Sequence, residues 1–78
     1  MGLGVSALID YANMEEAKEG FKTIRELHTF SDREVNLEDY EGRITVEVWL
    51  GENTNKAEKE LLETVTKVTN GTICFWGE

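Results

Sequence analysis

Few residues in this 78-residue chain could do covalent or metal chemistry: it has one histidine, His28, and one cysteine, Cys74. A thiol becomes a useful nucleophile when a nearby imidazole takes its proton and a third group orients that imidazole. Nothing in the spacing of His28 and Cys74 brings them together or supplies the third group. His28 reads instead as a residue at the end of a helix, where a cationic side chain suits the helix dipole. Cys74 lies beside Ile73, Phe75 and Trp76 and reads as a buried apolar residue. Being alone, it forms no internal disulfide, which fits a reducing compartment.

Metal and phosphate chemistry fare no better. There is no Cys-X-X-Cys, no second histidine and no calcium-loop pattern. Glu15 with Glu16, and Glu38 with Asp39 and Glu41, could attract a loosely held divalent cation, but solvated helix ends and turns account for them equally well. Gly2 and Gly4 precede a strand, whereas a dinucleotide fingerprint needs its glycines between strand and helix. The segment from Asp10 to Asn13 has no arginine to hold an acyl phosphate. An enzyme is not expected, nor is a bound cofactor or metal.

Charge excludes further classes. Sixteen Asp and Glu stand against eight Lys and Arg, a formal net charge of −8 with no basic run. Phosphate-rich partners need a cationic stripe, so direct binding to nucleic acid or to an anionic membrane is not expected. The apolar N-terminal stretch ends at Asp10 and has no basic flank, so neither a signal peptide nor a membrane span is expected. The start Met1-Gly2 is a poor myristoylation match, and the sequon Asn70-Gly71-Thr72 has no meaning without secretion. The expected location is the cytoplasm. A chain this short buries only about 60% of its unfolded surface, which suits one domain over residues 1–78 with a thin core.

The elements that must position any site follow from periodicity. Val5, Ala7, Ile9 and Tyr11 alternate with Ser6, Leu8 and Asp10, predicting a first strand. Asn13 with Glu16 forms a capping box, and Met14, Ala17, Phe21, Ile24 and Leu27 or His28 mark one helical face. Gly20 inside that helix points to close packing on the sheet. Glu41-Gly42 reads as a two-residue turn joining residues 34–40 to residues 43–50, although a loop of three or four residues is an alternative. The two-residue register sets Val35 opposite Val48, Leu37 opposite Val46 and Asp39 opposite Ile44. It sets Tyr40 with Arg43, Glu38 with Thr45, Asn36 with Glu47 and Glu34 with Trp49 on the other face, and a one-residue slip would invert every assignment.

After a loop from Gly51 to Asn55, Asn55 with Glu58 offers a second cap. Ala57, Leu61, Val65 and Val68 then form an apolar stripe, with Leu62 beside it and Gly71 ending the helix. The β-branched run from Thr64 to Val68 and the turn signal Asn70-Gly71 permit a competing hairpin over residues 64–76. Otherwise residues 72–76 close the chain as a strand.

Strand, helix, strand, strand, helix, strand is the split βαβ, or ferredoxin-like, α+β plan: a four-stranded antiparallel sheet with two helices on one face. The right-handed crossover rule gives the order 4-1-3-2, read here with the first strand parallel to the third. Alternation then sends Leu8, Asp10, Glu38, Tyr40, Thr45, Glu47, Trp49, Cys74 and Trp76 to the uncovered face. A shift of one residue in the last strand would instead put Trp76 and Cys74 under the helices. Sheets of this plan that bind RNA use central aromatics with basic flanks, and here Glu38 and Glu47 beside Trp49 would repel phosphate.

The hairpin region, residues 32–51, carries six acids and two bases, half the net charge in about a quarter of the chain. Such acids guard an edge strand against aggregation or steer a basic partner. The functional expectation is a small acidic protein-interaction module. Its contact residues are Leu8, Asp10, Glu38, Tyr40, Glu47, Trp49 and Trp76, and they pair with a protein partner or with a second copy as a homodimer. Its sharper form is an inhibitor that mimics nucleic acid in the cationic groove of a partner, in the manner of phage-encoded antagonists of host defence. The alternative is a small-molecule-sensing regulatory domain that works as a homodimer.

Overall fold

In the computed structural model of the protein, residues 4–52 and 55–77 are described, so Gly2 and the middle of the loop from Gly51 to Asn55 lie outside the described residues. The order is β1 (Val5–Tyr11), α1 (Met14–Glu26), a short 3-10 turn (His28–Phe30), β2 (Val35–Tyr40), β3 (Arg43–Gly51), α2 (Lys56–Val68) and β4 (Thr72–Gly77). The strands form one open sheet, ordered β2-β3-β1-β4, with every neighbour antiparallel. This is the ferredoxin-like arrangement.

One directional expectation is corrected, because β1 runs antiparallel to β3. The crossover through α1 returns the chain parallel to β1, but it returns it as β2. The tight hairpin then reverses direction, so β3 enters the gap between β1 and β2 running the other way. The hairpin register matches expectation pair for pair, from Val35 opposite Val48 to Tyr40 opposite Arg43. Its turn has two residues: Glu41 at φ 53° and Gly42 at φ 88°, both in the left-handed region that a tight hairpin turn requires.

Both helices begin as their caps predict. Asn13 accepts from the Glu16 N–H and Asn55 from the Glu58 N–H, each at 2.8 Å. The segment from Thr64 onward continues α2, so the competing hairpin does not form. Its inward stripe agrees with expectation at Leu61, Leu62 and Val65 and departs from it at both ends. Glu58, Leu62, Val65 and Thr66 are buried, while Ala57 is exposed and Val68 is 71% exposed. The helix is turned so that two polar residues point inward; each makes a bond there, and Glu58 Oε1 is left buried with no hydrogen-bond partner among the described residues. Glu58 pairs with Arg33 at 2.7 Å, and the Thr66 hydroxyl donates to the Leu62 carbonyl at 2.7 Å. Arg33 also donates to the Leu50 carbonyl at 2.8 Å, so one guanidinium ties the end of β3, the approach to β2 and the first turn of α2.

The helix-sheet interface is set by Tyr11. Its hydroxyl donates to Thr69 Oγ1 at 2.8 Å, while the Thr69 hydroxyl donates onward to the Val65 carbonyl at 2.7 Å. Burial pushes the phenol pKa up, which keeps that donor in place. The ring fits because two neighbours lack side chains. A Cβ on Gly20 would lie 2.7 Å from Tyr11 Cζ, and one on Gly71 would lie 2.7 Å from Ile9 Cγ2 and 2.9 Å from Tyr11 Cε1. Gly71 therefore serves a close approach, and the left-handed residue that ends α2 is Asn70, at φ 65°. The Gly71 N–H then returns to the Thr66 carbonyl at 2.9 Å.

Helix propensity alone would make Gly20→Ala stabilising by ~1 kcal/mol. The added methyl meets the Tyr11 ring, so urea denaturation should show a net loss of ~1–3 kcal/mol; a net gain would mean that α1 can shift off the sheet. Glu41→Asn, by contrast, places a residue tolerant of positive φ in the turn and should raise stability by ~0.5–1 kcal/mol in the same measurement.

Candidate functional site

With the helices on one side, the opposite face of the sheet is a grid whose rows are fixed by strand register. The first row runs Trp49, Ser6, Trp76, since Ser6 pairs with Trp49 on one side and with Trp76 on the other. The second runs Asn36, Glu47, Leu8, Cys74, and the third Glu38, Thr45, Asp10, Thr72. Tyr40 and Arg43 close the far end. All seven expected contact residues therefore share the uncovered face, and the last strand takes the phase that puts Trp76 there.

They do not form one cluster. Tyr40 sits beside Arg43, and the seven residues of β3 from Arg43 to Trp49 span roughly 20 Å. The aromatic concentration is the tryptophan row. Trp76 is 67% exposed and Trp49 44% exposed, and the two flank a serine small enough to leave space between them. Trp49 is the better held. Its six-membered ring lies over Gly4, where a Cβ would come within 2.8 Å of Cζ3. Ser6 and Gly4 were not singled out by sequence reasoning, although the period of two that passes through Leu8 and Asp10 also places Ser6 on this face.

Carboxylates flank the row at its Trp49 end. Trp49, Glu34, Asn36 and Glu47 line a shallow hollow of about 160 Å³. A second, of about 280 Å³, lies between Leu8, Glu38, Tyr40, Arg43 and Thr45. The face has one basic residue in these rows, Arg43, and it is engaged: it donates to both Asp10 carboxylate oxygens at 3.1 and 3.3 Å, while the Thr45 hydroxyl donates to the same carboxylate at 2.8 Å. The Arg43 hydrogen bond is the larger cause holding the Asp10 pKa below its ordinary value; partial burial opposes it and Thr45 adds to it. Among the described residues, Glu34, Glu38 and Glu47 have no such counter-ion.

The groups considered for chemistry lie elsewhere or are differently placed than expected. Cys74 is exposed on the open face, not buried, because alternation puts Ile73 and Phe75 inward in its stead. His28 falls beyond the end of α1, in the 3-10 turn, and is exposed. Among the described residues no group of three or more His, Cys, Asp or Glu side chains converges as a metal site, and no helix is long and apolar enough to cross a membrane. A scan against models of known protein families and a search among curated proteins both find no match.

The lowered Asp10 pKa fixes the sign of a pH effect. Stability contributed by its bonds to Arg43 and Thr45 is present above the ordinary carboxylate value of 3.8 and is lost as pH falls through the lower native value. Arg43→Met should therefore be less stable than the parent chain at neutral pH, with the gap closing as acid protonates Asp10. Denaturation midpoints across pH 2 to 7 check this, and a gap of constant size would assign the loss to packing of the arginine stem.

Proposed function

We propose that the protein is a small, non-catalytic interaction module that docks a basic protein surface on its uncovered sheet face. The observation that carries this reading is the tryptophan row: two large indoles, 44% and 67% exposed, held in one row on either side of Ser6 on a regular sheet. Covering an aromatic side chain removes on the order of 150–250 Å² from water, and aromatic anchors ringed by polar groups are what binding hot spots are built from. The partner's charge follows from the rim. Glu34, Glu38 and Glu47 have no paired cation among the described residues, so an arginine or lysine entering the hollow beside Trp49 meets carboxylates and an indole together. In its sharpest form the module is an inhibitor whose carboxylates stand in for phosphates within a cationic groove. An acidic rim also raises the encounter rate with such a partner.

An arginine-rich peptide is the direct probe, with an equal-length citrulline peptide as its uncharged control. The Trp49 indole resonance should shift saturably with the arginine peptide alone, with affinity falling as salt rises. Glu38→Lys combined with Glu47→Lys should weaken binding about tenfold or more. Equal affinity for the two peptides, or indifference to salt and to the double reversal, would remove charge recognition from the reading.

A further inference from the structure

The two hollows on the uncovered face differ in chemistry. The one beside Trp49 holds the carboxylates of Glu34 and Glu47, and neither is paired with a cation among the described residues. Glu34 receives one long hydrogen bond, from the Asn36 amide at 3.5 Å. The remaining wall is the indole, its ring seated over Gly4. A planar guanidinium stacks on such a ring while its edges donate to carboxylates, which a compact ammonium does less well.

The second hollow has its polar groups largely spent. Arg43 donates to both oxygens of Asp10, and the Thr45 hydroxyl donates to the same carboxylate. Glu38 is left, and the other walls are Leu8 and the exposed Tyr40 ring. The Arg43 guanidinium at this hollow disfavours a second cation, and the apolar walls gain by being covered. An aliphatic side chain therefore suits it.

Strand geometry sets the distance between the two. Glu47 and Trp49 flank the first hollow, and Arg43 and Thr45 flank the second. Their centres are thus about four residues apart along β3, or roughly 13 Å. Side chains four positions apart in an extended chain share a face and have that same separation. An α-helix repeats its facing every turn of about 5.4 Å, so its repeats fall at roughly 11 and 16 Å, on either side of the required distance.

We propose that the uncovered face reads an extended segment of its basic partner in which an arginine and an aliphatic residue stand four positions apart. The arginine packs against Trp49 and reaches Glu34 and Glu47, while the aliphatic side chain enters between Leu8 and Tyr40. This inference rests on the reading that the face docks a basic protein, and it adds what is recognised there.

Short serine-glycine peptides carrying one arginine and one leucine test the spacing, with the Trp49 indole resonance of the full chain followed on titration. Leucine four positions from the arginine, in whichever order binds tighter, should raise affinity about tenfold over serine in its place. Leucine three or five positions away points to the other side of an extended chain and should give no such gain. Lysine in place of the arginine should weaken binding severalfold. Tyr40→Ser should bring the best peptide down to the affinity of the serine peptide, with circular dichroism confirming the fold at this exposed position. Equal affinity at all leucine spacings, or response to the arginine-rich peptide alone, would overturn the inference and leave the basic partner standing. Equal binding of the lysine peptide would overturn the stacked guanidinium. Silence toward every one of these peptides would overturn both the inference and the reading it rests on.

Discussion

One-sided coverage is the constraint from which the remaining features of this protein follow. Two helices cover one side of a four-stranded sheet, so the core must come from alternate positions on the strands, and Ala7, Ile9, Val46 and Val48 have no exposed surface at all. Each of them fixes the facing of its neighbours in the chain. Ser6, Leu8 and Asp10, each half-buried, turn to the other side because Ala7, Ile9 and Tyr11 cannot leave the core. The Tyr11 phenol, seated between Gly20 and Gly71 and bonded to Thr69, keeps the helices from sliding over the strands. A face that carries little core of its own is thus held in register by packing on the opposite side, and regular elements position side chains more accurately than loops do.

Charge is distributed to suit that architecture. The central core is apolar, and of the two polar side chains that α2 turns inward, Glu58 pairs with Arg33 through one carboxylate oxygen and Thr66 bonds to the Leu62 carbonyl. Half of the net negative charge goes to the hairpin, along the β2 edge and beside Trp49. The acids there repel other copies from the β2 edge and leave the row of tryptophans accessible. The basic residue among them, Arg43, is held by Asp10 near the end of the face away from the tryptophans. The anionic field around Trp49 is therefore left largely uncompensated.

The fold was legible wherever the sequence pattern had a period and a boundary signal that agreed. The hairpin register could be read pair by pair because a slip of one residue would have exposed Val46 and Val48 together. Both caps were visible as Asn with Glu three residues on. The ends of the α2 stripe were hidden, because hydrophobicity pointed to Ala57 and Val68, which are exposed. The buried face instead takes in Glu58 and Thr66, whose partners, Arg33 and a carbonyl one turn back, cannot be known before the chain is folded. Phe30 was hidden for a related reason. It is 1% exposed yet sits in a single 3-10 turn, too short to have a period. Among the site residues, Leu8, Asp10, Glu47 and Trp49 were fixed by well-patterned strands. Trp76 waited on the phase of a short strand that could have slid by one.

The two tryptophans share a row but not an environment. Trp49 lies on an inner strand with its ring over Gly4, so part of its conformational freedom is already lost before any partner arrives. A ring fixed in this way gives up less entropy when it is covered. Trp76 lies on the edge strand, beyond which no strand stands among the described residues, and more of its surface meets water. Covering it asks for a neighbour that comes up beside the sheet. Ser6 between them sets the two rings on either side of one strand in the same row, one on an inner strand and one at the edge.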